Sequence, residues 1–138
     1  MDTESFVALL NEDLTSEYQS VVQYVQHSAI MSGPEYLGVA GEIKRHLGQE
    51  LTHAEVLAEQ ISFLGGTPTG TVGAVPSVTG PREALQADLD LETNQLERYR
   101  ERFGQANDLG LADVAEALRP LLEQTQEHVR DLQAALGR

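Results

Sequence analysis

The sequence predicts an all-α protein, a four-helix bundle in which one long crossover joins helix two to helix three. Apolar residues recur with the 3.6-residue helical period in four segments that Gly and Pro separate. Residues 65–81, between the second and third segments, carry no charged side chain and cannot sustain a helix. Because a link of this length lets helix three run parallel to helix two, it argues against a simple up-and-down bundle.

The first two predicted helices each place polar residues on an apolar stripe. Helix one runs from about Thr3 to Met31, and Glu17 lies in the middle of its stripe. Helix two runs from about Glu35 to Leu64, and Glu50 and His53 share its apolar face. Because apolar stripes face the core, polar side chains at these positions would be buried, and their burial requires an explanation.

The last two predicted helices repeat that pattern. Helix three runs from about Pro81 to Ala106, starts with the Pro that suits a first turn, and carries Glu92 on its stripe. After a turn at residues 107–110, helix four has Thr125 and His128 on its inner face.

Helix four also contains a proline. Pro120 removes a backbone donor and crowds the preceding turn, so a kink is expected near Leu118. The residues of chemical interest in this helix follow that position.

The two halves of the chain repeat the same chemistry at an offset of 75 residues. The first half carries Glu17, Tyr24, Glu50 and His53, and the second carries Glu92, Tyr99, Thr125 and His128. Thr125 alone breaks the repeat, because it stands where a second Glu would be expected. A carboxylate followed by Glu-x-x-His, once in each half, is what a helical bundle uses to hold two metal ions.

Three carboxylates that face a core would each cost several kcal/mol if they stayed ionised and unpaired. Protonation or bound cations would neutralise them. The spacing favours cations, because Glu and His three residues apart project to the same side of a helix. A single Glu-x-x-His is weak evidence, whereas two coincident intervals on apolar stripes are much stronger. The expected metal ligands are Glu17, Glu50, His53, Glu92 and His128.

Composition limits what the metal and the partners can be. A chain of 138 residues forms one domain, residues 1–138, and the absence of cysteine excludes disulfides and iron–sulfur clusters. Nine basic and 22 acidic residues give a net charge of −13, which argues against nucleic-acid binding and suits attraction of cations. No signal peptide and no membrane-spanning run is recognisable, so a cytoplasmic location is expected.

Nearly the whole chain resembles the bacterioferritins of the ferritin-like superfamily. Three segments carry the resemblance: LNEDLTSE at residues 10–17 with the following Gln23, Tyr24 and His27, ELTHAE at residues 50–55, and LQADLDLE at residues 85–92. The resemblance implies a di-iron carboxylate bundle with one crossover that binds two Fe ions. Hard oxygen and nitrogen ligands would also suit Mn²⁺ or Zn²⁺.

Family roles carry over position by position as implications of this resemblance. Glu17 and His53 resemble terminal ligands of one iron, and Glu92 and His128 those of the other. Glu50 resembles the bridging carboxylate. Tyr24 resembles the family's tyrosine near the di-iron site, an electron donor or hydrogen-bonding group.

Three departures from the family pattern change what is expected. Thr125 replaces the second bridging Glu, which predicts a more open second metal bridged by Glu50 and solvent; Glu123 and Glu127 lack the helical phase to replace it. Leu51 occupies the position of the family's haem-binding Met, so haem is not expected. Residues 129–138 alone follow the last ligand, too few for the family's short fifth helix, which does not favour a storage cage.

Other polar residues have more ordinary interpretations. His46 and His27 are better explained as structural or solvent-facing residues than as ligands or proton relays. Tyr99 is better explained by packing plus one hydrogen bond than by redox chemistry. The remaining acids are predicted to form solvated faces; they are Glu4, Glu12, Asp13, Glu97, Glu101 and Glu116.

The leading functional hypothesis is a bacterioferritin-like protein that oxidises Fe²⁺ with O₂ or H₂O₂, for iron handling and storage if a cage forms. A second hypothesis is a small di-iron or di-manganese redox enzyme that acts on peroxide or a small molecule without storage. A third is a metal-poor structural bundle. The resemblance implies a homo-oligomer, at least a dimer, through the outer face of helices one and two.

Overall fold

The computed structural model describes the whole chain, Met1–Arg138, as four long α-helices with no strand. The helices are α1 (Thr3–Ile30), α2 (Leu37–Phe63), α3 (Pro81–Asp108) and α4 (Ala112–Ala135). A long connection between α2 and α3 is the crossover. The predicted all-α four-helix bundle with one crossover is therefore confirmed.

The residues at the N-termini of α1 and α2 explain where these helices begin. Asp2 caps α1, because its side chain accepts a hydrogen bond of 2.8 Å from the backbone N–H of Ser5. α2 begins two residues later than predicted, because Pro34–Tyr36 forms a 3₁₀ turn before it. That turn follows Gly33, whose φ of +100° lies in the region that glycine adopts readily.

Pro120 lies inside α4, and the helix is continuous from Ala112 to Ala135. A proline in a helix interior removes one backbone hydrogen bond. Packing of the buried face of α4 against the bundle offsets this loss. No helix of the chain combines the length and the apolar character that crossing a membrane requires.

The bundle consists of two helix pairs, α1 with α2 and α3 with α4, which contact each other through α1–α3 and α2–α4. The crossover is fastened to α1. The Asn11 side chain donates to the carbonyl of Thr67 at 3.1 Å and accepts from the N–H of Thr69 at 2.8 Å. Further on, the N–H of Gly73 donates to the carbonyl of Thr15 at 3.2 Å.

Gly73 lets the crossover approach α1 closely. A Cβ atom at this position would lie 2.2 Å from Oε1 of Gln19, closer than any non-bonded contact allows. A side chain at position 73 would therefore require the Gln19 side chain to move, whereas glycine leaves room for it.

The apolar core is divided into two clusters. One contains Phe6, Leu10, Leu14, Ala54, Leu57, Ile61, Tyr99, Ala106, Val114, Ala115, Leu118 and Leu121. The other contains Tyr24, Ile43, Leu85, Leu89, Leu96, Val129, Leu132 and Leu136. Buried polar residues of all four helices form a separate layer of the interior. This layer includes the polar residues that the sequence repeat singled out, namely Glu17, Glu50, His53, Glu92, Thr125 and His128.

The prediction that Asp13 belongs to a solvated face is wrong. Its side chain is fully buried, because it lies one helical turn before Glu17 on the inner face of α1. The Arg102 guanidinium donates to both carboxylate oxygens, from Nε at 2.8 Å and from a terminal nitrogen at 3.2 Å. Burial raises the pKa of Asp13 to about 7, although Arg102 acts in the opposite direction.

The fastening of the crossover can be tested with Asn11→Ala. The substitution removes two hydrogen bonds to residues of the crossover, so the free energy of unfolding should fall by about 1–2 kcal/mol. Urea denaturation measures this loss, and limited proteolysis should cut residues 66–80 faster. Asn107→Ala, at an exposed position near the end of α3, is the control. Equal effects of the two substitutions would contradict a specific fastening role for Asn11.

Candidate metal centre

The five residues predicted as metal ligands converge in the polar layer. Glu17 of α1 joins Glu50 and His53 of α2 in one group, and Glu50 joins Glu92 of α3 and His128 of α4 in a second. In each group, one ligand atom of every member lies within 4.8 Å of the others. All five residues are at most 1% exposed. Glu50 is common to both groups and connects them.

Two glutamines fix the histidine rings. Nε2 of His53 lies 2.8 Å from Oε1 of Gln124, and Nε2 of His128 contacts Oε1 of Gln49 in the same way. An amide oxygen only accepts hydrogen bonds, so each Nε2 carries the proton and donates. Each Nδ1 then presents a lone pair, the form in which histidine binds a metal ion.

Both Nδ1 atoms are directed at the carboxylates. His53 Nδ1 lies 3.7 Å from Glu17 Oε1 and 3.5 Å from Glu50 Oε2. His128 Nδ1 lies 2.7 Å from Glu50 Oε1 and 3.5 Å from Glu92 Oε1. Neither nitrogen and neither oxygen of Glu50 has a hydrogen-bond partner of acceptable geometry. Converging acceptors without donors are the arrangement that a cation satisfies.

Tyrosine hydroxyls hold the two outer carboxylates. Tyr24 donates to Oε1 of Glu92 at 2.8 Å, and Tyr99 donates to Oε1 of Glu17, which also accepts from Nε2 of Gln95 at 2.8 Å. Burial, reinforced by the neighbouring carboxylates, raises the pKa of both tyrosines well above the ordinary value. They therefore stay protonated and act as donors, and Oε2 of each carboxylate remains without a partner.

The three carboxyl groups differ in their protonation. Burial beside Glu17 and Glu92 raises the pKa of Glu50 well above its ordinary value. Burial alone would also raise the pKa of Glu17, but contacts with Glu50 and His53 outweigh it and lower the pKa to about 2. Burial would likewise raise the pKa of Glu92, but its proximity to His128 and Glu50 outweighs burial and lowers the pKa. Without a cation, Glu50 is the carboxyl that holds a proton.

The donor atoms fit a pair of divalent metal ions. Each group offers two carboxylates and one imidazole, and the shared carboxylate of Glu50 can bridge two ions. Hard oxygen donors with imidazole suit Fe²⁺, Mn²⁺ and Zn²⁺. The many unpartnered acceptors in a buried layer support the same conclusion, because leaving them unsatisfied is costly.

The glutamines that hold the histidines were not identified from the sequence, although the repeat contains them. Gln49 and Gln124 are 75 residues apart, the same offset that relates the ligands. Each contacts the histidine of the opposite half. Extending the offset comparison to residues outside the Glu-x-x-His motifs would have found this pair.

The same offset relates two buried side-chain pairs, each of which contains an aspartate. Asp13 of α1 pairs with Arg102 of α3, and Asp88 of α3 pairs with His27 of α1, whose Nδ1 lies 2.6 Å from the carboxylate. Asp88 also accepts from the Gln23 amide at 3.0 Å. The predicted structural role of His27 agrees with this contact, and the pairs join α1 to α3 in the polar layer.

Thr125 lies in the polar layer with its side chain fully buried. Its hydroxyl has no hydrogen-bond partner. Glu123 and Glu127 of the same helix are exposed and belong to neither metal-binding group. The structure therefore provides three carboxylates and no protein replacement for the missing fourth.

His46 lies beside this centre but belongs to another cluster. Its ring stacks on His128 with 4.0 Å between ring centroids, and its Nε2 lies 3.1 Å from Asp131. Glu42, His46 and Asp131 have metal-binding geometry, but the Arg45 guanidinium contacts Glu42 at 2.7 Å and Asp131 at 2.9 Å. A side-chain cation thus satisfies these acids already.

Comparison with known proteins supports an iron-handling protein. The family model described as a ferritin-like domain matches residues 7–138. A bacterioferritin of Streptomyces coelicolor is 30% identical over 137 residues, covering 94% of this chain and 78% of the relative. The bacterioferritin BfrA of Mycobacterium tuberculosis is 28% identical over 129 residues, covering 93% of this chain and 81% of the relative.

A solved structure described as a ferritin-like, diiron-carboxylate protein from Bacillus anthracis superposes with a TM-score of 0.93. It is 29% identical, and the alignment covers 99% of both chains. The structure of M. tuberculosis BfrA superposes with a TM-score of 0.87 at 27% identity, covering 96% of this chain and 84% of that one.

The protonation of Glu50 predicts how pH affects the metal-free protein. Folded Glu50 keeps a proton that the unfolded chain releases above about pH 4.5, so folding becomes less favourable as pH rises through this range. Glu50→Gln removes this effect. In urea denaturation with a chelator, the stability of the variant relative to wild type should increase between pH 5 and 8, by at most about 1.4 kcal/mol per pH unit.

Glu55→Gln is the matched control, because Glu55 is an exposed glutamate on the same helix. Its stability relative to wild type should not change with pH. A pH-independent difference between Glu50→Gln and wild type would contradict a protonated Glu50.

Proposed function

The chain belongs to the bacterioferritin family of ferritin-like proteins, and from this premise we propose that it binds two iron ions in the polar layer and oxidises Fe²⁺ with O₂ or H₂O₂. The observation that carries the proposal is Glu50, whose carboxylate belongs to both metal-binding groups. Glu17 and His53 would hold one ion, and Glu92 and His128 the other. Glu50 would bridge them.

When bound, the iron pair supplies the electrons that reduce the oxidant. The residues of the chain bind and orient the ions. Gln49 and Gln124 keep the proton on Nε2 of the histidines, so that both Nδ1 atoms stay available. Binding of cations would displace the proton of Glu50, because a carboxylate must be ionised to act as a ligand. The burial of the five candidate ligands, each at most 1% exposed, limits the access of water to them.

Tyr24 and Tyr99 hold the outer carboxylates unequally. Glu17 accepts from both Tyr99 and Gln95, whereas Glu92 accepts from Tyr24. The residue that corresponds to Gln95 through the repeat is Ser20, whose hydroxyl donates instead to the backbone of its own helix at 3.2 Å. Loss of the Tyr24 hydroxyl would therefore affect its carboxylate more than loss of the Tyr99 hydroxyl. We propose that Tyr24 orients Glu92 during oxidation.

A second candidate function is a small di-iron or di-manganese redox enzyme that acts on peroxide or a small molecule without iron storage. Thr125 favours it, because the missing carboxylate leaves the centre more open to an external ligand. Native mass and iron capacity distinguish the two functions. We also propose at least a dimer through the outer face of α1 and α2, where Val25 and Leu51 are about half exposed.

The iron site is tested by anaerobic loading with Fe²⁺. Wild type should bind about two ions per chain, and Glu50→Ala should bind fewer than one, since both groups lose their common ligand. Iron analysis, oxygen consumption and native mass on the same samples measure the outcome. Glu55→Ala, at an exposed position of α2, is the control.

Two irons in a small oligomer would support the redox enzyme, and capacity far above two in a large assembly would support storage. Failure of wild type to bind Fe²⁺ would refute iron oxidation, and failure to bind Mn²⁺ as well would leave a structural bundle.

Tyr24→Phe tests the orienting role. The variant should still bind about two irons, but the rate of Fe²⁺ oxidation should fall on the order of tenfold, because Glu92 loses the hydrogen bond from Tyr24. Tyr99→Phe is the matched control, since Gln95 continues to hold Glu17. Stopped-flow oxidation with each variant measures the difference, and equal rates for the two variants would remove the special role of Tyr24.

A further inference from the structure

The position of Thr125 is the place where the two halves of the metal centre differ. Through the 75-residue repeat, Thr125 corresponds to Glu50, the carboxylate that joins both metal-binding groups. Thr125 is fully buried in the same layer but lacks a carboxylate. One half of the repeat therefore supplies a carboxylate common to both groups, and the other half supplies a short hydroxyl side chain.

The protein does not compensate for the charge that Thr125 omits. Two divalent ions carry four positive charges, whereas ionised Glu17, Glu50 and Glu92 supply three negative charges. Both histidine ligands are neutral when Nε2 donates to a glutamine and Nδ1 binds the ion. One positive charge would remain in a buried layer, which is costly without a counter-charge.

No other acid can supply the missing charge. Asp13 and Asp88 are buried, but they are engaged by Arg102 and His27. Asp131 is paired with Arg45. The neighbouring acids of α4 are exposed and belong to neither group. The fourth negative charge must therefore come from solution.

The Thr125 hydroxyl points to the kind of anion required. It is a buried donor without a partner, which is unfavourable until an acceptor reaches it. A hydroxide ion supplies charge through a single oxygen. A small carboxylate has two oxygens, so that one can accept from Thr125 while the other contacts an ion. It also reproduces the chemical group that the repeat would place here.

We propose that Thr125 creates a binding place for a small monocarboxylate from solution, of the size of formate or acetate, which replaces the missing bridging glutamate of the loaded centre. This inference rests on the proposed metal pair but not on iron oxidation. The position of Thr125 would bind small monocarboxylates, and the affinity of the second metal ion would depend on that ligand.

The test uses Co²⁺, whose visible absorption depends on its ligands and which needs no oxidant. Protein loaded with Co²⁺ is titrated with sodium formate and then acetate, with sodium chloride at equal ionic strength as the reference. We expect a saturable spectral change with the carboxylates alone. Formate should also raise the melting temperature of the loaded protein but not of the metal-free protein.

Thr125 variants connect the response to this position. Thr125→Glu supplies the carboxylate within the chain, so the spectrum should no longer respond to formate. Thr125→Gln fills the same space without a charge and should also abolish the response, which keeps the test valid if the glutamate variant does not fold. Thr125→Val preserves the space but removes the donor, so the apparent affinity for formate should fall about tenfold. Thr93→Glu, at an exposed position of α3, controls for added charge.

The outcomes separate this inference from the proposed function. Two bound Co²⁺ ions with a spectrum indifferent to formate would overturn the inference and leave the metal centre intact. A formate response that persists in Thr125→Glu and Thr125→Gln would place the anion elsewhere and also overturn it. Failure to bind Co²⁺ at all would remove the metal pair and both proposals with it.

Discussion

Burial of three carboxylates in one layer is the constraint on which the rest of the structure depends. Glu17, Glu50 and Glu92 face one another inside the bundle, where ionised groups are strongly disfavoured without counter-charges. Apolar packing cannot tolerate such a layer, so the core is divided into two clusters. Tyrosine and glutamine side chains restrain the outer carboxylates and the histidines without neutralising them. Several polar atoms of the layer therefore lack hydrogen-bond partners in the metal-free protein, and their arrangement is suited to binding cations.

The duplicated architecture explains how so many polar groups are positioned together. The offset of 75 residues relates the ligands, the tyrosines, the glutamines that hold the histidines, and both buried aspartates. Each half supplies groups that complete the other, as Gln124 does for His53 and Gln49 for His128. The symmetry fails at Thr125, which corresponds to Glu50 in the repeat, and this difference gives the two groups of candidate ligands different surroundings.

Much of this arrangement could be predicted from the sequence. Helical periodicity gave the four helices to within a few residues, because apolar stripes must face a common core. Polar residues on those stripes identified the five converging side chains. The burial of Asp13 was missed, since its partner Arg102 is 89 residues away and no local pattern reveals the pair. The late start of α2 was also missed, because a Pro-initiated turn and an α-helix have similar local signals.

The repeat has a consequence for the first helical hairpin alone. Residues 3–63 contain a carboxylate on α1, the Glu-x-x-His motif on α2, and the glutamine that holds the opposite histidine. If two copies of this hairpin assembled around a twofold axis, the position of Thr125 would be filled by Glu50 of the second copy, and four carboxylates would balance two divalent ions. Asp13 would then meet His27 of that copy instead of Arg102. The hairpin is thus a self-complementary half of the candidate centre, and joining two unequal halves in one chain allows the two groups of ligands to differ.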